Sequence, residues 1–276
     1  MAIYGDPKGH HITHERVLRQ IAGFEPQVIL NTGDLVPLGT WQPSWNRFRR
    51  ILEGVFPTPR TSPLYLAVPG NHDIAGDERN YEHWHRNLPW LPGNGTFYVS
   101  DHGPLRLIVL DANPVALGSV QTDSLRAWLE HNTRPWVIVA WHQVSFPFGS
   151  KPMHTFSRDE WWPVLYDYGV DLVVNGHAHY YARSRPLRPH PEPPYATPDE
   201  AGPVQIISAA GGAGRYRVGK DDYNSLYFDE LLVTAVDSLW SWCAVTVTDS
   251  TLSVQARALT GNTFDFFVLK RRGPLR

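Results

Sequence analysis

Short apolar runs recur along this chain, and most show no polar alternation. Residues 28–30, 64–68, 105–110, 136–140, 170–174 and 204–207 read as strands covered on both faces. Between some of them the period becomes helical. Residues 14–24 place Val17, Leu18 and Ile21 on one face, and residues 45–55 do the same with Phe48, Ile51 and Leu52. Thr122 stands where it would cap a helix carrying Leu125, Trp128 and Leu129. Ser157 with Glu160 makes a capping-box pattern before Trp161 and Leu165. Strand then helix, repeated, predicts an α/β fold.

The last third changes character. Residues 240–247, 251–259 and 264–269 read as consecutive antiparallel strands, with turns at Asp249-Ser250 and Thr260-Gly261-Asn262. They predict a second sheet packed on the first. Residues 186–203 hold seven prolines, which excludes a regular helix or a central strand there. Such a loop either walls a site or moves freely at the surface.

Composition narrows the class. Hydrophobic residues are 42% and charged residues 19% of the 276, which excludes disorder. No apolar run approaches the roughly 20 residues of a spanning helix. A net charge of -2 predicts no general attraction to nucleic acid or to an anionic membrane. The lone cysteine, Cys243, rules out an internal disulfide and a thiolate-rich zinc site. No secretory leader is read, and the chain opens almost inside a strand. That start fits either a cytoplasmic protein or a trimmed extracytoplasmic one.

The chemistry lies in five polar clusters, each after an apolar run. They are Gly5-Asp6, Gly33-Asp34, Gly70-Asn71-His72-Asp73, His142 and Gly176-His177-Ala178-His179. Open α/β sheets place their sites at the C-terminal ends of strands, where these clusters fall. Asp34 has two oxygens with which to bridge two metals, and Asn71 offers a neutral one. His72 is a natural general acid, because its unperturbed pKa lies near neutrality, and Asp73 is placed to hold its ring. His177 and His179, two apart after a glycine, can face neighbouring metals from a loop.

The order Gly-Asp, Gly-Asp, Gly-Asn-His-Asp, His, Gly-His-x-His resembles the calcineurin-like metallophosphoesterase superfamily. The string Gly176 to Ser184 is similar to its purple acid phosphatase branch. The likeness runs from Ile3 to about Arg185 and resumes weakly at the glycine-rich residues 209–214. It implies a four-layer αββα sandwich with two mixed β-sheets flanked by helices. It implies two divalent or trivalent metal ions (iron, manganese or zinc). One would take Asp6, Asp34 and His179; the other would take Asp34, Asn71, His142 and His177. The implied reaction is hydrolysis of a phosphate mono- or diester on a small substrate, by in-line attack of a metal-bound hydroxide. His72 would serve the leaving group. A cyclic-nucleotide phosphodiesterase or nuclease, and a degenerate relative that only binds a phosphorylated ligand, are the alternatives. One domain is expected, with a metal-site half over about residues 1–185, the proline-rich loop, and a β-rich part over residues 204–276.

Two positions depart from the resembled pattern. Many members carry a histidine two residues after the first aspartate, where Lys8 stands here. Purple acid phosphatases carry a tyrosine three residues after the second, where Pro37 stands. The first metal is therefore a ligand short unless His11 or His14 fills it, and His14, at a helix start, is the expected replacement. Lys8 is expected to turn outward toward the substrate phosphate. Arg183 is expected to clamp phosphate oxygens with its guanidinium fork.

Overall fold

Strands apolar on both faces find cover in a stack of four layers, helices outside and two sheets within. The computed structural model describes residues 1–271 apart from Thr61, Gly76, Glu78, Asp222 and Tyr223. In chain order the strands are β1 (Ala2–Tyr4), β2 (Val28–Asn31), β3 (Leu64–Ala67), β4 (Tyr98–His102), β5 (Leu105–Val109), β6 (Trp136–Ala140) and β7 (Leu172–Asn175). They continue as β8 (Tyr181–Pro189), β9 (Ala196–Pro198), β10 (Val204–Ser208), β11 (Leu232–Val236), β12 (Ser241–Val247), β13 (Thr251–Ala258) and β14 (Thr263–Lys270). The helices are α1 (His11–Phe24), α2 (Gln42–Val55), α3 (Asn71–Ile74), α4 (Asn80–Asn87), α5 (Ser119–Glu130), α6 (Trp162–Asp167) and α7 (Phe228–Leu231).

One sheet runs β14-β13-β12-β1-β2-β3, and the other runs β11-β8-β10-β7-β6-β5-β4 with β9 paired to β8. In each, a run of parallel strands is extended by antiparallel ones. β1, β2 and β3 are parallel, as are β5, β6, β7 and β10.

The period-2 geometry of a strand divides its side chains between two cores. Leu105, Leu107 and Val109 join Trp136, Ile138 and Ala140 in the core shared with β1–β3, α1 and α2. Ile108, Val137 and Val139 face the other way, onto Leu125 of α5 and onto Trp162 and Leu165 of α6. That division is why these segments show no alternation. Seven tryptophans are fully buried, among them Trp45, Trp84 and Trp136, so the cores need no disulfide.

Four local expectations change. The strands of the last third do not make a sheet of their own. β12 pairs with β1 in the register Ala2 to Ala244, so they extend the sheet that β1 begins. Thr122 lies inside α5, and its hydroxyl accepts a hydrogen bond from Trp161 at 3.2 Å. Ser157 opens a single π-turn, Ser157–Trp161, and its hydroxyl meets that of Ser145 at 2.6 Å instead of capping. The proline-rich segment is partly a hairpin, with Leu187 opposite Pro198. At about 3.3 Å per residue, β8 carries that hairpin some 25 Å from the polar loop before Tyr181, so it does not wall that loop.

Candidate metal centre

Each of the polar clusters follows a strand, and the strand ends are tied together by main-chain bonds. The Asp6 amide donates to the Gly33 carbonyl at 2.9 Å, and the Gly176 amide donates to the His142 carbonyl at 3.0 Å. Asp6, Asp34 and His177 sit in the left-handed region, at φ of 54°, 56° and 66°. Such backbone costs about 1–3 kcal/mol per residue and persists where the surroundings over-determine it. The turn at Gly70 shows why. A Cβ there would lie 2.2 Å from the Asp34 nitrogen, so only glycine lets α3 approach Asp34.

The structure brings six of the sequence-predicted residues together. Donor atoms of Asp34, His142 and His177 lie within 4.8 Å of one another, as do those of Asp6, Asp34 and His179. Asn71 joins the first group, with its Oδ1 2.9 Å from Nδ1 of His177. His142 and His179 are oriented by main-chain carbonyls, which only accept. His142 Nδ1 therefore donates to Thr32 at 2.7 Å, and His179 Nδ1 donates to Gly214 at 2.5 Å. In the neutral form of each ring the lone pair is thereby left on Nε2, which is the arrangement a metal ligand needs. His142 Nε2 lies 3.2 Å from Asp34 Oδ2, and His179 Nε2 lies 3.2 Å from Asp6 Oδ1.

The electrostatics are those of a cation site. Burial works against charge on Asp34, but His142, Lys8 and His72 outweigh it and hold the carboxyl well below its usual range. Burial likewise disfavours a charged His142, yet Asp34 and Asp6 raise it to about 9. Burial, then His142 and Lys151, push His177 down to about 2, so its ring is a neutral base. His142 Nε2 and Asp6 Oδ1 are buried and have no hydrogen-bond partner among the described residues. Native structures rarely leave such atoms unpaired, and a metal ion would complete both. The mixed oxygen and nitrogen donors fit iron, manganese or zinc.

Other expected residues go elsewhere. His14 is no ligand. It is buried between the rings of Tyr4 and Phe48, and its Nε2 meets the Tyr4 hydroxyl at 3.0 Å. Arg183 is no phosphate clamp, because its guanidinium is spent on Asp265, at 2.7 and 2.9 Å. Asp73 does not hold the His72 ring. Its oxygens accept the amides of Val36 and Gly70 at 3.1 and 2.9 Å, and burial with the nearby Asp34 raises its pKa. His72 donates instead from Nδ1 to the Pro37 carbonyl at 2.9 Å, while its own amide donates to Asp34 Oδ1 at 2.8 Å. Lys8 does not turn outward, and its ammonium is bonded to Asp34 Oδ2.

The sequence reading missed Tyr216 and Lys151. Tyr216 stacks on His179 with centroids 4.1 Å apart, and the Lys151 ammonium lies 4.6 Å from the Tyr216 ring. Neither residue belongs to a motif, and the carbonyls of Thr32 and Gly214 carry no mark in the sequence.

Comparison with known proteins places the chain in a family. The family model of calcineurin-like phosphoesterases matches residues 1–181. Purple acid phosphatase 13 of Arabidopsis thaliana is 30% identical over 202 residues, covering 64% of this chain and 33% of that protein. Acid phosphatase type 7 of the mouse is 26% identical, over 73% of this chain and 48% of that protein. The chain thus spans about a third to a half of the length of these curated relatives. Among solved structures, the yellow lupin purple acid phosphatase PPD1 superposes with a TM-score of 0.74 at 17% identity, over 98% of this chain and 53% of that one. The Plasmodium protein GAP50, described as the anchor in the inner membrane complex, shares the fold with a TM-score of 0.71 at 15% identity, over 99% of this chain and 88% of that one. With two-thirds of its length matched by the family model and its polar strand ends converging on Asp34, this chain belongs to the calcineurin-like phosphoesterase family.

Proposed function

We propose that this chain hydrolyses phosphate mono- or diesters of small molecules with the help of metal held around Asp34. The observation that carries this reading is the convergence of buried donor atoms in two groups that share Asp34, in which Asp6 Oδ1 and His142 Nε2 make no hydrogen bond and face only His179 Nε2 and Asp34 Oδ2, each at 3.2 Å. Asp34, Asn71, His142 and His177 would hold one ion, and Asp6, Asp34 and His179 provide donors for a second cation. Metal bound there supplies charge that polarises the phosphoryl group and activates water for in-line attack.

The protein groups do the rest. His72 fixes its Nδ1 proton on the Pro37 carbonyl, which leaves Nε2 to exchange a proton with the leaving oxygen. Its amide bond to Asp34 keeps the ring in fixed relation to the donor groups. Asp73 is a positioning residue, since its two amide contacts hold the turn that carries Asn71 and His72. Lys8 and Lys151 add positive charge beside the donor groups, where it would help hold a phosphate.

The test is turnover of a chromogenic aryl phosphate and of its diester after loading with manganese, iron or zinc. Metal-dependent release of the phenol from either ester is expected. Tight binding of a phosphorylated ligand with no turnover on either ester would make the chain a binder instead.

A further inference from the structure

The two donor groups are unequal, and the inequality centres on Lys8. Its side chain is 10% exposed, and its ammonium is bonded to Asp34 Oδ2. That is the oxygen 3.2 Å from His142 Nε2, the one turned toward the metal donors. The other oxygen, Oδ1, is taken by the His72 amide.

The group around Asp6 is also poor in donors. Asp6, Asp34 and His179 are its three members among the described residues. Neither His14 nor His10 completes it, and His11 is not among its donors. His14 is bonded to Tyr4, and the His10 ring lies against Trp240, centroids 6.0 Å apart. The Pro37 carbonyl accepts from His72. The group around Asn71, by contrast, has four donors from four different loops.

Asp6 and Asp34 are the carboxylates shared out between the two groups. One dication with the Lys8 ammonium exceeds their charge by one, which still draws a phosphate. A second dication beside that ammonium would face direct like-charge repulsion across a single carboxylate oxygen.

We infer that the Lys8 ammonium serves as the second cation of the centre, so that this chain holds one metal ion tightly, at Asp34, Asn71, His142 and His177. The ammonium has three N–H donors, and Asp34 takes one of them. The others are available to phosphoryl oxygens, where they do the charge-balancing work of a metal with a group that cannot be chelated away. This inference rests on the metal-dependent reading above and makes Lys8 a positioning and binding residue in it.

The experiment is metal titration of chelator-stripped full-length chain with zinc and with manganese, followed by calorimetry and by manganese paramagnetic resonance. Wild type is expected to take up one tight equivalent with the spectrum of an isolated ion. Lys8→Met, which keeps the length and removes the charge, should tighten a second equivalent by about 10–100-fold, the scale on which residues beside a metal act. Lys8→His, which adds a donor, should bind two ions and show a coupled manganese pair. Lys8→Arg should stay at one. Thermal melts of each variant establish that it is folded.

Two tight equivalents in wild type, or a Lys8→Met and a Lys8→His both folded and both still at one, would overturn the inference. In either case the phosphoesterase reading survives if the loaded protein turns over. Wild type that binds no metal overturns both readings together.

Discussion

Arg183 and Asp265 meet as a fork on a carboxylate, Nε to Oδ2 at 2.7 Å and Nη2 to Oδ1 at 2.9 Å, with both side chains mostly buried. The pair joins β8 of one sheet to β14 of the other, and the Tyr181 hydroxyl donates to the same carboxylate at 2.6 Å. Arg183→Ala would therefore leave a partly buried carboxylate uncompensated and cost about 1–3 kcal/mol of stability. Denaturant unfolding of Arg183→Ala, Asp265→Ala and the double variant should give a clear coupling term. KM for an aryl phosphate should not change. A raised KM with unchanged stability would return Arg183 to the substrate.

His14 makes stability depend on acid. Burial lowers its pKa to about 3, against 6.5 in the unfolded chain. The unfolded state thus binds the extra proton first, and stability falls as pH drops below about 6.5. Between pH 6.5 and pH 5 the loss is about 2 kcal/mol from this one group. His14→Phe, which keeps the stacking on Tyr4 and Phe48, should show a correspondingly smaller loss between pH 7 and pH 5. Equal losses in both proteins would mean that another buried group, such as His154, carries the acid sensitivity.

His72 and Asp73 are neighbours with different tasks. His72→Ala should lower kcat by about 10²–10⁴-fold and leave metal content intact, because the ring is bonded to the Pro37 carbonyl and is not one of the clustered donors. Asp73→Ala should lower the melting temperature as well, since the amides of Gly70 and Val36 lose their acceptor in a buried turn. Full turnover of a poor leaving group by His72→Ala would exclude it as the proton handler.

Pro37 predicts a colourless iron protein. The colour of the resembled branch comes from a tyrosinate on ferric iron, and the proline stands where that tyrosine would be. Tyr180 accepts the Phe148 amide, and Tyr181 is bonded to Asp265, so neither hydroxyl is directed at the donor groups. An absorption spectrum of the iron-loaded chain should lack a strong visible band. Its presence would show that another phenol has reached the metal.

What could be read from the chain follows from what is local in it. Asp6, Asp34, Asn71, His142, His177 and His179 each stand just after an apolar run, so a strand end predicts their company without any knowledge of the pairing. The covered strands were legible because both faces of β6 are apolar, one for each core, and β5 departs from that only at Arg106.

The errors have the opposite origin. His14 looked available because its partners, Tyr4 and Phe48, come from two other elements. Arg183 looked free because Asp265 lies 82 residues away in the chain. The last three strands looked like a separate sheet because nothing local tells β12 to pair with β1 at the other end of the molecule. Lys8 departs from its expected outward placement because the attraction of Asp34, 26 residues away, decides its position.

The most direct test of the phosphoesterase account follows turnover of an aryl phosphate and bound metal together through one chelator titration, in wild type and in His142→Ala. The account predicts that activity falls in step with metal in wild type, returns on reloading, and is absent with the tight metal in His142→Ala. Turnover that survives complete removal of metal would contradict it, as would a metal-loaded wild type inert toward both monoester and diester.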